Sequence, residues 1–108
     1  MAPTKDAVIR DIRRYGATLR ENSIPVQRVL LFGSWARGAA GEDSDVDIAL
    51  ISDKFTGDRF EDRRRIVPLR RAINNRIEPI PFNSKTFANG GNLIDEIIRH
   101  GEEIDAVV

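Results

Sequence analysis

Residues 31–50 read LFGSWARGAAGEDSDVDIAL, and this stretch decides which fold the chain can adopt. The apolar run Val26 to Phe32 leads into it and stops at Gly33, a residue type that permits close approach to the backbone. A second run, Asp45 to Ile51, alternates so that every other side chain is Val, Ile or Leu on one face. We therefore predict two strands, joined by a Gly-, Ala- and Ser-rich segment that holds a turn and a short helix around residues 34–38.

The segment between the two strands offers a place for a phosphate group. Ser34 follows Gly33 with a hydroxyl group and a backbone N–H at the start of the predicted helical turn. Exposed N–H groups and the positive end of a helix favour anions. Arg37 lies one turn further on, where its guanidinium can make a forked contact with phosphate oxygens; an ordinary surface position is the alternative.

Two carboxylates follow on the second predicted strand. Asp45 and Asp47 project from one face, roughly 6–7 Å apart at a rise of about 3.3 Å per residue. Such a pair is unfavourable unless a cation lies between its members, and Mg²⁺ takes oxygen ligands while leaving room for phosphates. A turn residue is the alternative for Asp45, whereas Asp47 lies between apolar neighbours and is costly there without a partner. A carboxylate pair beside a phosphate site is what metal-assisted nucleotidyl transfer requires.

Helical spacing of apolar residues predicts a helix on each side of this stretch. Four side chains before the first strand share one helical face: Val8, Ile12, Tyr15 and Leu19. Thr4 is the predicted N-cap of that helix. A second helix is predicted over Phe60 to Asn74, with a kink or restart at Pro68, because a proline inside a helix removes a hydrogen bond and clashes with the preceding turn.

The C-terminal third predicts a further strand and a further helix. Arg76 to Phe82 reads as a strand, and its two prolines, Pro79 and Pro81, predict that it lies at an edge of the sheet. Asn92 is the predicted cap of a last helix, whose apolar side chains are Leu93, Ile94, Ile97 and Ile98. Residues 102–108 are predicted to add a short strand or a tail.

This order of helices and strands predicts an α/β (α+β) fold, in which helices back a small mixed sheet. A length of 108 residues predicts one domain, residues 1–108. The 17 basic and 17 acidic residues cancel, which argues against a sequence-independent nucleic-acid binder. Cys is absent and there is one His, which excludes thiolate and His-rich metal sites. No apolar run is long enough for a membrane span and no signal region begins the sequence, so we expect a cytoplasmic protein.

The motif of residues 33–47 resembles that of a known enzyme superfamily. Gly33-Ser34, ten residues and then Asp45-Val46-Asp47 resemble the G-S-x10-D-x-D motif of the DNA polymerase beta-like nucleotidyltransferases. The flanking GSWARG and SDVDIAL resemble its minimal nucleotidyltransferase branch, whose members are single catalytic domains of about this length. The resemblance therefore covers essentially the whole chain and implies the polymerase-beta-like nucleotidyltransferase fold.

The resemblance also implies a role for each motif residue. Gly33 and Ser34 would bind the triphosphate of the nucleotide, and Asp45 and Asp47 would bind two Mg²⁺ ions. The family uses a third carboxylate on a later strand, usually an Asp, to help activate the acceptor hydroxyl group. Glu78 is the candidate here for that catalytic and metal-binding position. Pairing of Glu78 with an arginine, such as Arg76, is the alternative reading of this residue.

Minimal nucleotidyltransferases resemble the antitoxins of two-gene toxin–antitoxin modules, which implies a function for this chain. We expect an antitoxin that transfers AMP from ATP to a side chain of a HEPN-type toxin. The partner interface is expected on exposed apolar or Arg-rich surface of the last two helices. One alternative is a non-catalytic module that neutralises its partner sterically. The other is an aminoglycoside-type transferase that needs a partner domain or a homo-oligomer to complete its pocket.

Two other features have both a structural and a functional reading, and a third has a structural reading. Trp35 either packs in the core or stacks on a nucleobase. The arginines of residues 63–71 either form a solvated helix face or dock an acidic partner. His100 reads as a cation at the C-terminal end of the last helix, where it is favourable to the helix dipole.

Overall fold

The structure, a computed structural model, describes residues 3–105. The helices are α1 (Lys5–Glu21), α2 (Arg59–Ile66), α3 (Ser84–Asn89) and α4 (Asn92–His100), with a 3₁₀ helix at Val67–Arg70. The strands are β1 (Arg28–Phe32), β2 (Val46–Ile51), β3 (Ile77–Phe82) and β4 (Glu102–Ile104). The predicted α/β (α+β) fold class is confirmed.

The four strands form one mixed sheet in the order β3-β2-β1-β4. β1 is antiparallel to both β2 and β4, and β2 is parallel to β3. In this register Asp47 lies opposite Phe32 on one side and opposite Glu78 on the other. These three residues form a row across the sheet at the end of β1, and β3 is an edge strand, as Pro79 and Pro81 predict.

The alternation of β2 divides the core between the two faces of the sheet. On one face, Val46, Ile48 and Leu50 join the larger cluster, which includes the buried side of α1 and the end of α2. On the other face, Ala49 and Ile51 join a smaller cluster with side chains of α3 and α4. Asp47 and Glu78 have the parity of this second face, where they lie side by side and are both half-buried.

The helix α1 begins and packs as its sequence predicts. The Thr4 side chain accepts a hydrogen bond from the Ala7 N–H, which caps the helix. The four residues of the predicted apolar face are all buried. Tyr15 is fully buried, and its hydroxyl group donates to the carbonyl oxygen of Ile66 at 2.6 Å. This bond ties α1 to the residue at which α2 ends.

Replacement of Tyr15 by Phe should destabilise the protein by about 1–2 kcal/mol, because the Ile66 carbonyl group loses a buried donor. Urea unfolding followed by circular dichroism would measure the change. Thr18→Val is the matched control, since it removes an exposed hydrogen bond from Thr18 to Arg14 on the same helix. We expect that variant to change stability by less than about 0.5 kcal/mol. Equal effects of the two variants would contradict the prediction.

The predicted break at Pro68 is confirmed. The α-helix ends at Ile66, and the chain continues as the 3₁₀ helix with Pro68 in its first turn, where a missing N–H costs least. The observed helical segment ends at Arg70 and is therefore shorter than the predicted one, Phe60 to Asn74. Its last part turns towards β3, which carries Arg70 to the outer edge of the sheet.

Two local predictions are wrong, and one observed helix has no counterpart in the prediction. Residues 34–38 form turns rather than a short helix, because Gly33 and Gly38 both have positive φ angles, +71° and +72°, and end the helical bonding on each side. Asn92 does not cap α4; Gly91 does, at a φ of +137° that favours glycine. The helix α3 was not predicted, although the Asn83 side chain caps it by accepting from the Thr86 N–H.

The predicted C-terminal strand is present as β4, and residues 106–108 lie outside the described part of the chain. Within residues 3–105, no helix combines the length and the apolar character that crossing a membrane requires.

Candidate active site

The sequence-predicted carboxylates lie together at one end of the sheet. Asp47 is half-buried on β2, and the exposed Asp45 precedes that strand by one residue. Glu78, also half-buried, lies beside Asp47 on the neighbouring strand. Strand parity therefore places Asp45, Asp47 and Glu78 at the same edge of the same face.

Asp47 is the electrostatic centre of this group. Burial raises the pKa of Asp47 above its ordinary value, and the negative charges of Asp45 and Glu78 raise it further, while Arg37 lowers it. The folded protein thus concentrates negative charge on one oxygen-rich spot. Carboxylate oxygens are the ligands that Mg²⁺ prefers, so the donor set of Asp45 and Asp47 fits a divalent cation.

Gly33 forms the wall behind Asp47. Its φ of +71° is one that residues with a Cβ rarely adopt. A Cβ atom at this position would overlap Asp47 Oδ2 and lie 3.2 Å from Asp47 Cγ. Gly38 has nearly the same φ, but a Cβ atom added there would have no neighbour within 4 Å. Glycine is therefore required at residue 33 for the close approach of the carboxylate as well as for the turn.

The turn after β1 borders an open cavity of about 230 Å³. Ser34 is half-buried within the turn, and Arg37 is exposed. Their backbones are held by bonds from the Arg37 N–H to the Gly33 carbonyl oxygen at 3.2 Å and from the Ala39 N–H to the Ser34 carbonyl oxygen at 2.9 Å. The cavity is lined by Phe32, Gly33, Arg37, Leu93, Glu96, Ile97 and His100.

Glu78 makes two ion pairs. Its Oε1 lies 3.0 Å from Arg70 Nη1, and its Oε2 lies 3.5 Å from Arg63 Nη2. Arg76, the partner considered from the sequence, instead binds Asp43 at 3.1 Å. Within residues 3–105, no three His, Cys, Asp or Glu side chains converge as a ready-made metal site.

A family comparison identifies the fold that carries this site. The model of the nucleotidyltransferase domain matches residues 12–102, which is most of the chain. The chain belongs to the nucleotidyltransferase domain family. The prediction of a nucleotidyltransferase enzyme is confirmed, and the matched residues contain the whole G-S-x10-D-x-D motif.

Individual relatives agree with this family. The putative protein adenylyltransferase of Methanocaldococcus jannaschii is 27% identical to this nucleotidyltransferase over 101 residues, which cover 90% of the chain and 95% of the relative. The crystal structure of a putative nucleotidyltransferase from Sulfolobus solfataricus has a TM-score of 0.67 at 14% identity, over 92% of this chain and 80% of the other. A crystal structure of a toxin-antitoxin with AMP-PNP has a TM-score of 0.59 at 20% identity, over 92% and 73%. These two structures share the fold of the nucleotidyltransferase.

The structure adds residues that sequence reasoning left out of the site. Arg63 and Arg70 contact Glu78, and α4 contributes His100 to the cavity beside Arg37. The helical spacing of α4 gave its apolar face, but only its packing against β1 shows which polar residues reach the motif. Trp35 is 8% exposed and belongs to the larger core cluster, which supports the packing role for this residue.

Proposed function

We propose that this nucleotidyltransferase transfers AMP from ATP to a side chain of a partner toxin of the HEPN type, and so acts as an antitoxin. The observation that carries the proposal is the row of Asp47 and Glu78 at the sheet end, with Asp45 beside it and Gly33 behind it. The family supports nucleotidyl transfer. The relative named a putative protein adenylyltransferase supports a protein as the acceptor. The structural neighbour that is a toxin-antitoxin with AMP-PNP supports a toxin as that protein and ATP as the nucleotide donor.

The residues divide the reaction between donor and acceptor. The N–H groups and hydroxyl group of the turn at Gly33 and Ser34, together with the Arg37 guanidinium, suit the triphosphate. The cavity shares Gly33 and Arg37 with this region, so the rest of the donor has space next to it. Glu78, on the far side of Asp47, is the group available to orient the hydroxyl group of an acceptor.

The reaction joins the acceptor oxygen to the α-phosphorus, breaks the bond from that phosphorus to the oxygen of the leaving pyrophosphate, and releases the proton of the acceptor hydroxyl group to solvent. Asp45 and Asp47 would hold Mg²⁺, which when bound neutralises charge on the pyrophosphate and lowers the pKa of the acceptor hydroxyl group. The role of the two aspartates themselves would be to fix the position of the cation. Gly33 keeps Asp47 from moving away, because its backbone closes the space behind the carboxylate.

A partner surface is available on the last helix. Of the apolar residues predicted for α4, Ile94 and Ile97 are buried, whereas Leu93 and Ile98 are 40% and 52% exposed. Exposed apolar side chains on this helix agree with the expected position of a protein interface. A single domain over residues 1–108 and a cytoplasmic location stay predictions of the sequence.

Label transfer tests the proposed activity. The protein is incubated with Mg²⁺ and ATP labelled at the α-phosphate in a lysate of its source cell. We expect one labelled protein band, which mass spectrometry of the acceptor would identify as a toxin encoded beside this gene. ATP labelled at the γ-phosphate should give no such band, because pyrophosphate leaves.

Two variants separate catalysis from binding. The double variant Asp45→Asn and Asp47→Asn should abolish the band, whereas Asp43→Asn should retain it, because Asp43 is one of the ten unspecified residues of the motif, is 91% exposed and pairs with Arg76. Neutralisation of the partner by the double variant at wild-type level would instead support the steric module. Label on a small molecule in place of a protein would support the aminoglycoside-type transferase.

A further inference from the structure

The outer edge of β3 carries two guanidinium groups. The carbonyl oxygens of Arg76 and Phe82 accept from β2 or from the residue after it, at 2.8 and 3.0 Å, so those of Ile77 and Pro79 point outwards. Arg70 Nη1 donates to the Ile77 carbonyl oxygen at 2.6 Å, and Arg63 Nη1 donates to that of Pro79 at 2.7 Å. Both side chains are therefore fixed to the backbone on either side of Glu78.

The same two guanidinium groups bind the Glu78 carboxylate. Arg70 contacts Oε1 and Arg63 contacts Oε2, so each oxygen has its own cationic partner. The side chain of Arg70 is only 22% exposed, and those of Arg63 and Glu78 are about one-third exposed. Solvent screens such pairs less than it screens a fully exposed pair. We call Arg63 and Arg70 the arginine clamp.

The position of the clamp follows from the break in the helix. Arg63 lies on α2, and Arg70 lies on the 3₁₀ helix that has Pro68 in its first turn. An uninterrupted α-helix would place residue 70 two turns beyond residue 63 on the same helical face. The change of helix type instead carries Arg70 towards the start of β3, and the Tyr15 bond to Ile66 holds the junction.

We propose that Arg63 and Arg70 are positioning residues that hold the third carboxylate for nucleotidyl transfer and balance its charge. This inference rests on the proposed function. A glutamate has one more methylene group than the family's aspartate, and therefore one more rotatable bond to fix. The clamp fixes it by binding both oxygens. It also compensates the negative charge of Glu78, which lies beside Asp47 on the neighbouring strand, so that Asp45 and Asp47 determine the strength of cation binding.

Charge and geometry can be separated by substitution at residue 70. Arg70→Met keeps an apolar stem but removes the donors and the charge, whereas Arg70→Lys keeps a cationic donor. Without the clamp, the uncompensated Glu78 charge should tighten Mg²⁺ binding by roughly threefold to tenfold, the scale of a unit charge that acts on a divalent cation several ångströms away through water. The rate constant of transfer should fall, by about 10–100-fold, as is typical for loss of a partner that orients a metal-site ligand.

The test measures both quantities on the full chain. Calorimetric titration with Mg²⁺ alone gives the affinity without any acceptor, and transfer of α-labelled phosphate to the identified band gives kcat and the KM for ATP. Arg70→Met should show tighter Mg²⁺ binding, a lower kcat and a KM within about twofold, since the triphosphate contacts lie at Gly33 and Ser34. Arg70→Lys should keep Mg²⁺ affinity and kcat closer to the wild-type values than Arg70→Met does. Arg63→Met provides a second variant with the same expected signs, in case Arg70→Met does not fold.

Arg64→Met is the matched control, because Arg64 is an exposed arginine of the same helix that pairs with Glu61. It should leave Mg²⁺ affinity and kcat at wild-type values. Clamp variants that fold, bind Mg²⁺ with wild-type affinity and transfer label at the wild-type rate would overturn the inference, since the arginines would then only close the sheet edge. Wild-type protein that transfers no label, while Arg70→Met still tightens Mg²⁺ binding, would overturn the proposed function and retain the charge-compensating clamp.

Discussion

Replacement of Asp47 by Asn should lower the rate of label transfer by at least about 100-fold while the protein remains folded. Asp47 is the carboxylate on which the charges of Asp45 and Glu78 converge. In the proposed reaction Asp47 holds the cation, and loss of such a ligand removes transition-state stabilisation of several kcal/mol, where each 1.36 kcal/mol corresponds to tenfold in rate. Steady-state transfer by equal concentrations of the two proteins, with melting curves to confirm folding, measures the effect. Transfer within threefold of wild type would contradict it.

The same variant should stabilise the protein when no metal is bound. The pKa of Asp47 is raised in the folded state, so the folded state binds the proton more tightly than the unfolded state does. The contribution of Asp47 to the stability of the wild-type protein should therefore fall as pH rises from the ordinary value of 3.8 through the raised pKa of Asp47. Asp47→Asn should flatten this pH dependence in urea unfolding with a chelator present. A wild-type profile that rises over this range, and that Asp47→Asn leaves unchanged, would contradict the assignment.

Replacement of Gly33 by Ala should reduce transfer by about 100-fold, a loss that misplacement of a catalytic group by about 1 Å can cause. The added methyl group would occupy the position of Asp47 Oδ2, so the carboxylate must move. The substitution also places a Cβ in the left-handed region, which costs about 1–2 kcal/mol of stability. Transfer assays and urea unfolding of the same preparation measure the two effects.

Gly38→Ala separates backbone strain from displacement of the carboxylate. Gly38 has a φ of +72°, against +71° for Gly33, but an added Cβ would meet nothing within 4 Å. We expect this variant to lose a similar part of its stability from strain and to keep transfer within about threefold of wild type. Equal loss of transfer in both variants would show that the shape of the turn matters, rather than the space beside Asp47.

The main features of the fold could be predicted because they depend on local patterns. Alternation over residues 45–51 assigned Asp47 to its sheet face, and the prolines of β3 predicted an edge strand. Glu78 was a candidate because of the resemblance to the family, and only the observed register of β2 with β3 shows that it lies beside Asp47. A short helix was predicted around residues 34–38, where the structure has turns. The positive φ angles of Gly33 and Gly38 prevent the helix, and amino-acid composition alone does not show which glycines adopt such angles.

The arginine clamp could not be predicted, because its geometry depends on two contacts between residues that are distant in the sequence. Pro68 predicted a break in the helix, but the direction of the chain after the break depends on how α1 holds Ile66. The separation of Arg70 and Glu78 by eight residues is also compatible with no contact at all. In the sequence the arginines therefore looked like a solvated helix face, and only the packing of the 3₁₀ helix against β3 distinguishes this from a role in the site.

The outer edge of β3, where prolines and arginines occupy the backbone positions, also limits how another chain can bind to the sheet. An exposed edge strand normally offers unpaired N–H and carbonyl groups to which another chain can add a strand. Pro79 and Pro81 have no N–H to donate, and the outward carbonyl oxygens of Ile77 and Pro79 already accept from arginines. This edge therefore resists β-sheet extension, and with it the edge-to-edge aggregation to which small sheets are prone. A partner that approaches the carboxylates from the β3 side must be recognised through side chains, because it cannot join the sheet there.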